Sequence, residues 1–139
     1  MTQPAGTRQP DSSQLVWRTG LIAAGIAVVA NLVVYAVARG LGSPVTTQAG
    51  PIGPGLIVST TIFPLALGTL LLWLLHGRMP AIWATLAFVG LGFAVLSAIG
   101  PAALASTAGS LVALALMHLI TGTVWCVALT RARSRLRAG

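Results

Sequence analysis

The sequence is most informative in what it lacks. Its 139 residues include no lysine, a single acidic residue, Asp11, and a single cysteine, Cys126. Within the segment 19–130 the only charged residues are Arg39 and Arg78. A water-soluble fold of this length needs charged groups over its whole surface, so this composition excludes an ordinary soluble domain. One cysteine also excludes an intrachain disulfide and a cysteine-based metal cluster.

The rest of the chain is strongly apolar, with 56% hydrophobic residues and a mean hydropathy of +0.93. Four apolar stretches cover roughly 16–38, 55–75, 81–99 and 105–130. A helix of about 20 apolar residues crosses the hydrocarbon core of a bilayer, and none of the four stretches alternates as a transmembrane strand would. Because the connections between them are short, the sequence predicts an all-α membrane protein, an up-down-up-down bundle of four transmembrane helices.

The arginines predict the orientation. Arg39 falls on one side of the predicted bundle and the other seven on the opposite side: Arg8, Arg18, Arg78, Arg131, Arg133, Arg135 and Arg137. By the positive-inside rule we expect both termini to be cytoplasmic. The use of arginine without lysine, with abundant Ala, Gly, Leu and Val, is typical of high-GC bacterial genomes, so the expected location is the inner (cell) membrane of a bacterium. The four tryptophans near the cytoplasmic ends of the stretches predict an aromatic belt. A competing interpretation is that 36–38, Ala-Val-Ala, is a signal-peptidase site, although the preceding apolar stretch is long enough to span.

The two ends of the chain are polar. The sequence predicts a disordered cytoplasmic tail at residues 1–14, the transmembrane domain at 15–131 and a basic cytoplasmic tail at 132–139. The C-terminal arginines (Arg131, Arg133, Arg135 and Arg137) either anchor the topology or also bind anionic lipid headgroups, at about 1 kcal/mol each. Aromatic residues are not interleaved with them, which argues against nucleic-acid binding.

Polar side chains inside apolar helices are the best indicators of a site. Asn31 lies near the middle of the first stretch and His118 near the middle of the fourth, so an interhelical hydrogen bond is expected between them. Further partners are expected among Thr121, Ser110 and Tyr35. This group is either a structural hydrogen bond that fixes helix register or a proton-sensitive or ligand-binding polar centre.

Pro64 falls in the middle of the second stretch. Since it has no N–H to donate to the Thr60 carbonyl, the sequence predicts a kink there, either a static packing feature or a hinge. The neighbouring hydroxyls, at 59–61, are expected to compensate the freed carbonyls.

The chain has little material for catalysis. No carboxylate lies within the apolar stretches, no residues have metal-ligand spacing, and His76 and His118 are predicted at different depths, which does not suit a haem. We therefore expect no catalytic residues, metal or cofactor. Small residues instead recur at helical spacing, which favours close helix packing: Gly20, Ala24, Ala27 and Asn31 in the first stretch, and Ala87, Gly90, Ala94 and Ser97 in the third.

Two segments resemble a known family. They are VVANLVVYAVARGLG around Asn31 and VLSAIGPAALASTAGSLVALALMHLITGTV, which contains Gly100-Pro101 and His118. With Pro64, they are similar to an uncharacterised family of small four-helix membrane proteins of high-GC Gram-positive bacteria, a domain of unknown function. The resemblance implies the four-helix fold and includes Asn31 and His118 in its pattern, but it implies no activity or partner.

These observations lead to two functional hypotheses. The first is a non-enzymatic structural or accessory subunit, which acts through helix–helix contacts with itself or with a membrane protein partner. The alternative is a small transporter or sensor with a polar centre at Asn31 and His118 beside the Pro64 kink. An enzyme acting on lipid is the least favoured.

Overall fold

Four long helices make up most of the structure. The computed structural model describes residues 12–79 and 81–138. The long helices are α1 (Ser12–Gly40), α2 (Pro54–Leu75), α3 (Ile82–Ser97) and α5 (Ala108–Ala138). The connections contain an antiparallel pair of two-residue strands, β1 (Thr46–Thr47) and β2 (Gly50–Pro51), and a short helix, α4 (Gly100–Leu104).

Three of the helices are long and apolar enough to cross a membrane: Ser13–Gly40, Pro54–Leu75 and Ala108–Arg137. The third predicted span, 81–99, is shorter than expected, because α3 has 16 residues and a length of about 24 Å. The helical hydrogen bonds end before Pro101: the Ala98 N–H donates to the Ala94 carbonyl, whereas the Ile99 N–H donates to the Leu96 carbonyl. Pro101 in turn has no N–H for the carbonyl of Ser97, so α3 does not resume and α4 follows as a separate helix.

Both predicted tails are partly helical. Residues 12–14, predicted to be disordered, form the start of α1, and α5 continues through the C-terminal arginines to Ala138. Residues 1–11 of the predicted N-terminal tail lie outside the described residues. The fourth predicted span begins three residues late, since Ala105 is extended and bridges to Thr47.

The small residues predicted to mark helix interfaces lie in contacts within the chain. Ala27 of α1 and Ala87 of α3 are completely buried. A Cβ on Gly20 would meet the Thr69 side chain of α2, and a Cβ on Gly122 would meet Ala94. The α1 and α3 stripes therefore serve α1–α2 and α3–α5 packing.

The four long helices do not close into a complete ring. Helix α5 packs extensively against both α1 and α3, and α1 packs against α2. By contrast, α2 and α3 contact each other at few positions. The helices therefore follow the order α2, α1, α5, α3 in space, and a lateral opening separates α2 from α3.

The connection after α1 folds over the start of α5. Gly42, with φ +74°, ends α1 in a conformation that favours glycine, and the two strands follow. Ser110 of α5 is completely buried; its Oγ accepts from the Thr46 N–H at 3.0 Å and donates to the Pro44 carbonyl at 3.1 Å. This contact fixes one end of the lateral opening.

The four tryptophans differ in exposure. Trp17 and Trp73 are 44% and 40% exposed, with ring centroids 6.3 Å apart, whereas Trp83 and Trp125 are each 5% exposed. The belt predicted from all four is therefore wrong for Trp83 and Trp125, which belong to the hydrophobic core.

Candidate binding cleft

The opening between α2 and α3 forms a cleft of about 780 Å³. Leu67 and Pro64 of α2 line one wall, and Val89 and Phe93 of α3 line the other. Residues of α5 form the floor, and Asn31 of α1 also lines the cleft. Clefts of about 300–1,000 Å³ with mostly apolar walls and a few polar groups are typical of small-molecule sites.

Trp125 closes one end of the cleft. Its indole N–H donates to the Leu86 carbonyl at 2.9 Å, which holds the ring against α3. The ring packs where α2 and α3 both have glycine, since a Cβ on Gly68 or on Gly90 would meet it. Leu104 and Thr47 line the cleft towards the β1–β2 end. The cleft thus extends between a tryptophan and the folded connection.

Asn31 is the centre of the polar contacts in the cleft, and it is 2% exposed. Its Nδ2 donates to Thr61 Oγ1 of α2 at 2.9 Å and to Thr121 Oγ1 of α5 at 3.0 Å. Each threonine hydroxyl donates to its own helix, Thr61 to the Ile57 carbonyl and Thr121 to the Met117 carbonyl. In the structure the polar centre thus consists of Asn31, Thr61 and Thr121, and from here on the name refers to these three residues.

These bonds fix the orientation of the Asn31 amide. A hydroxyl has one hydrogen, and both threonines use it on a helix carbonyl, so their oxygens can only accept. Asn31 must therefore present its NH₂ group to both threonines. The hydrogen-bond network thus distinguishes the amide nitrogen of Asn31 from its amide oxygen.

The consequence is an acceptor without a donor. Asn31 Oδ1 is fully buried and has no hydrogen-bond partner among the described residues. A buried polar atom left in this state costs about 1–3 kcal/mol, and such atoms in folded proteins call for an explanation. A buried acceptor that lacks a donor, in a residue that lines a cleft, indicates where the polar part of a ligand would bind.

His118 lines the same cleft, but it does not bond to Asn31 as the sequence analysis expected. Both N–H groups of the Asn31 amide are already used on threonines. His118 Nδ1 lies 2.7 Å from the Leu114 carbonyl, which can only accept, so Nδ1 carries the proton. In the neutral ring Nε2 is then a second acceptor.

Two other predicted members lie elsewhere. Ser110 holds the β1–β2 connection, and neither it nor Tyr35 is among the residues that line the cleft. Tyr35 Oη accepts from Arg39 at 3.0 Å, and the guanidinium lies 5.7 Å from the centre of the ring. Of the predicted partners of Asn31, Thr121 alone bonds to it.

The Pro64 region contributes to the cleft wall. Helix α2 continues through Pro64, and Thr60 and Pro64 both line the cleft. The hydroxyls at 59–61 donate to the carbonyls of Leu56 and Ile57, one turn before the carbonyl that Pro64 leaves free. The predicted compensation of the Thr60 carbonyl by these hydroxyls is therefore wrong.

Sequence reasoning missed Thr61 and Trp125 as cleft residues. Thr61 belongs to a buried seam on α2 in which polar and apolar residues alternate: Ile57, Thr61, Leu65, Thr69 and Leu72. This spacing of three or four residues was a usable signal for Thr61. For Trp125 the sequence held no usable signal, because only the folded chain places Gly68 and Gly90 against its ring.

Charge is absent from the residues that line the cleft, where His118 is the one titratable side chain. The C-terminal arginines are exposed or half-buried at the far end of α5. Across residues 12–79 and 81–138, no group of three His, Cys, Asp or Glu side chains could hold a metal ion.

Apart from the two short strands, the described residues form a helical fold, and its apolar helices suit a membrane protein. The chain belongs to a family of unknown function, DUF6069, whose sequence profile matches residues 11–135. Comparisons with curated proteins and with solved structures find no match.

Proposed function

We propose that the chain is a multi-pass protein of the bacterial inner membrane, with four antiparallel spans and both termini in the cytoplasm. Pairwise contacts support the antiparallel order: Gly20 of α1 lies at Thr69 of α2, whereas Asn31 lies at Thr61. The distribution of arginines supports the orientation. In this arrangement the cleft between α2 and α3 opens sideways, towards lipid.

The working part of the protein is that cleft, and its occupant is a lipid-like molecule that enters from the bilayer with its alkyl chain between α2 and α3. One observation carries this proposal: α2 and α3 make few contacts with each other and leave an apolar cleft with polar groups in its wall. The activity is binding without chemistry, because His118 is the one titratable side chain that lines the cleft.

A lipid-like occupant fits better than a helix of a partner protein. The cleft volume of about 780 Å³ lies within the range for small ligands, and a transmembrane helix of about 20 residues is much larger. The small-residue stripes on which the accessory-subunit hypothesis depends pack within the chain. That hypothesis, like a homo-oligomer, stays a prediction from the sequence.

The transporter or sensor alternative depends on the same polar residues. The binding proposal retains them as the polar end of a ligand site, and it requires neither a proton pathway nor movement of α2 at Pro64. A transport function would in addition need the cleft to open to both sides of the membrane.

Photo-crosslinking in lipid nanodiscs tests the proposal. The probe is an uncharged long-chain alkyl diazirine, and mass spectrometry locates the labelled residues. We expect labels to concentrate on cleft residues of α2 and α3. Val89→Trp, which fills the cleft, should lower this labelling several-fold.

The matched control is Val29→Trp. Val29 of α1 is 63% exposed, close to the 59% of Val89, but it does not line the cleft. Labelling spread evenly over the apolar surface, or an equal effect of the two tryptophans, would overturn the proposal. A protein co-purified from native membranes and cross-linked at α2 and α3 would instead establish a partner helix as the occupant.

A further inference from the structure

We infer that the cleft selects amphiphiles whose polar end is an uncharged hydrogen-bond donor, such as the hydroxyl of a long-chain alcohol or a monoacylglycerol, with Asn31 Oδ1 as its acceptor. This inference rests on the proposed function, because it specifies the ligand of that same cleft. Two observations together carry it. Asn31, which lines the apolar cleft, is 98% buried, and its amide oxygen has no hydrogen-bond partner among the described residues.

The polar centre has already used its donors. Both N–H groups of Asn31 and both threonine hydroxyls donate to protein oxygens. His118 donates through Nδ1 to the Leu114 carbonyl, which leaves Nε2 as an acceptor in the neutral ring. A ligand that only accepts hydrogen bonds, such as an ether or a ketone, therefore gains nothing at Asn31. A ligand that donates satisfies Oδ1.

The absence of charge from the cleft lining restricts the ligand further. No arginine or lysine is among the lining residues, so a phosphate or an ionised carboxylate would lose its hydration without an ion pair. A cationic head would likewise find no carboxylate among them. A hydroxyl loses much less than an ion on leaving water, and it regains a hydrogen bond at Oδ1.

Access to Oδ1 requires a small displacement of the cleft wall, since neighbouring atoms cover this oxygen. The wall at this point includes Thr61 and Thr60 of α2. Helix α2 makes few contacts with α3 and loses one internal hydrogen bond at Pro64. Helix α2 is therefore the less constrained wall, and a ligand between α2 and α3 would reach Oδ1 by displacing it.

Competition against a photoactivatable long-chain alcohol in nanodiscs tests the inference. The competitors have equal chain length and differ in the polar end: the alcohol, its methyl ether and the corresponding carboxylate at neutral pH. We expect the alcohol to compete about five- to tenfold better than the ether, as one net hydrogen bond allows. The carboxylate should compete no better than the ether.

Variants assign the preference to one side chain. In Asn31→Leu the preference for the alcohol over the ether should fall, because only the threonine oxygens that Asn31 no longer occupies remain as acceptors, while cleft labelling remains. His118→Phe should retain the preference for the alcohol. If His118→Phe abolishes the preference and Asn31→Leu retains it, the acceptor is the imidazole and the assignment to Asn31 is overturned.

The wild-type comparison needs no variant, so it stands even where a substitution prevents folding. Cleft labelling without a preference for the alcohol would overturn the inference and leave the proposed function intact, with water as the donor to Oδ1. Loss of cleft-specific labelling altogether would overturn the proposed function itself.

Discussion

Replacement of Asn31 by leucine should cost the protein little stability, although it removes two interhelical hydrogen bonds. The bonds run from Nδ2 to Thr61 and Thr121. Buried hydrogen bonds between membrane helices are worth about 0.6 kcal/mol each on average, so their loss costs about 1.2 kcal/mol. The same substitution removes the unpartnered Oδ1, whose burial costs about 1–3 kcal/mol. The two terms largely cancel.

Removal of a hydrogen-bond acceptor of Asn31 should cost more stability than removal of Asn31 itself. Thr61→Val keeps the shape of the side chain but leaves one Asn31 N–H buried without a partner, at about 1–3 kcal/mol. The expected order of stability therefore has Asn31→Leu between about 0.2 kcal/mol below and about 1.8 kcal/mol above wild type, and Thr61→Val below both. A count of hydrogen bonds alone would give the opposite order for the two variants.

The measurement is the free energy of unfolding in bicelles by steric trapping. Thr60→Val is the matched control, because the Thr60 hydroxyl donates only within α2, to the carbonyls of Leu56 and Ile57. It should leave the stability of the helix contacts unchanged. A loss of more than about 3 kcal/mol in Asn31→Leu would refute the reasoning, since Oδ1 would then have a partner in the membrane.

Three further predictions concern packing and topology. Gly90→Ala should lower the free energy of unfolding by about 1–3 kcal/mol in the same assay, because its Cβ would meet the Trp125 indole ring. Gly92→Ala should not, because the space around its Cβ is open, and equal effects of the two variants would contradict the packing described. In a Cys126→Ala background, an impermeant maleimide added outside intact cells should label Gln48→Cys and leave Ser134→Cys unlabelled, and the reverse pattern would invert the topology. Alanine at all four C-terminal arginines should raise the fraction of molecules labelled at Ser134→Cys from outside, and an unchanged fraction would show that the arginines do not set the orientation.

Much of the helical structure follows from the sequence. Apolar runs without charge make helices, since a backbone in hydrocarbon must satisfy its own hydrogen bonds. The end of the third helix shows the limit of such reasoning: the apolar stretch runs to 99, but α3 ends at Ser97. The Ile99 N–H donates to the Leu96 carbonyl, and no apolar pattern predicts that change from the helical hydrogen bonds.

The candidate site was only partly predictable. Asn31 was identifiable because an amide in an apolar stretch needs partners. Its partners were not identifiable, since a hydrogen bond depends on which faces two helices turn towards each other. Thr61 sits among three consecutive hydroxyl residues, and the packing of α1 against α2 selects it and leaves its neighbours exposed.

The sequence by itself thus determined that the chain forms long apolar helices, where most of them end, and that Asn31 and His118 are unusual. The tertiary structure decided the rest. Small residues allow close packing with more than one neighbour, so only the folded chain shows that they join α1 to α2 and α3 to α5. The cleft lies where α2 and α3 make few contacts, and the Asn31 Oδ1 acceptor has no donor because both threonine hydroxyls donate to carbonyls of their own helices.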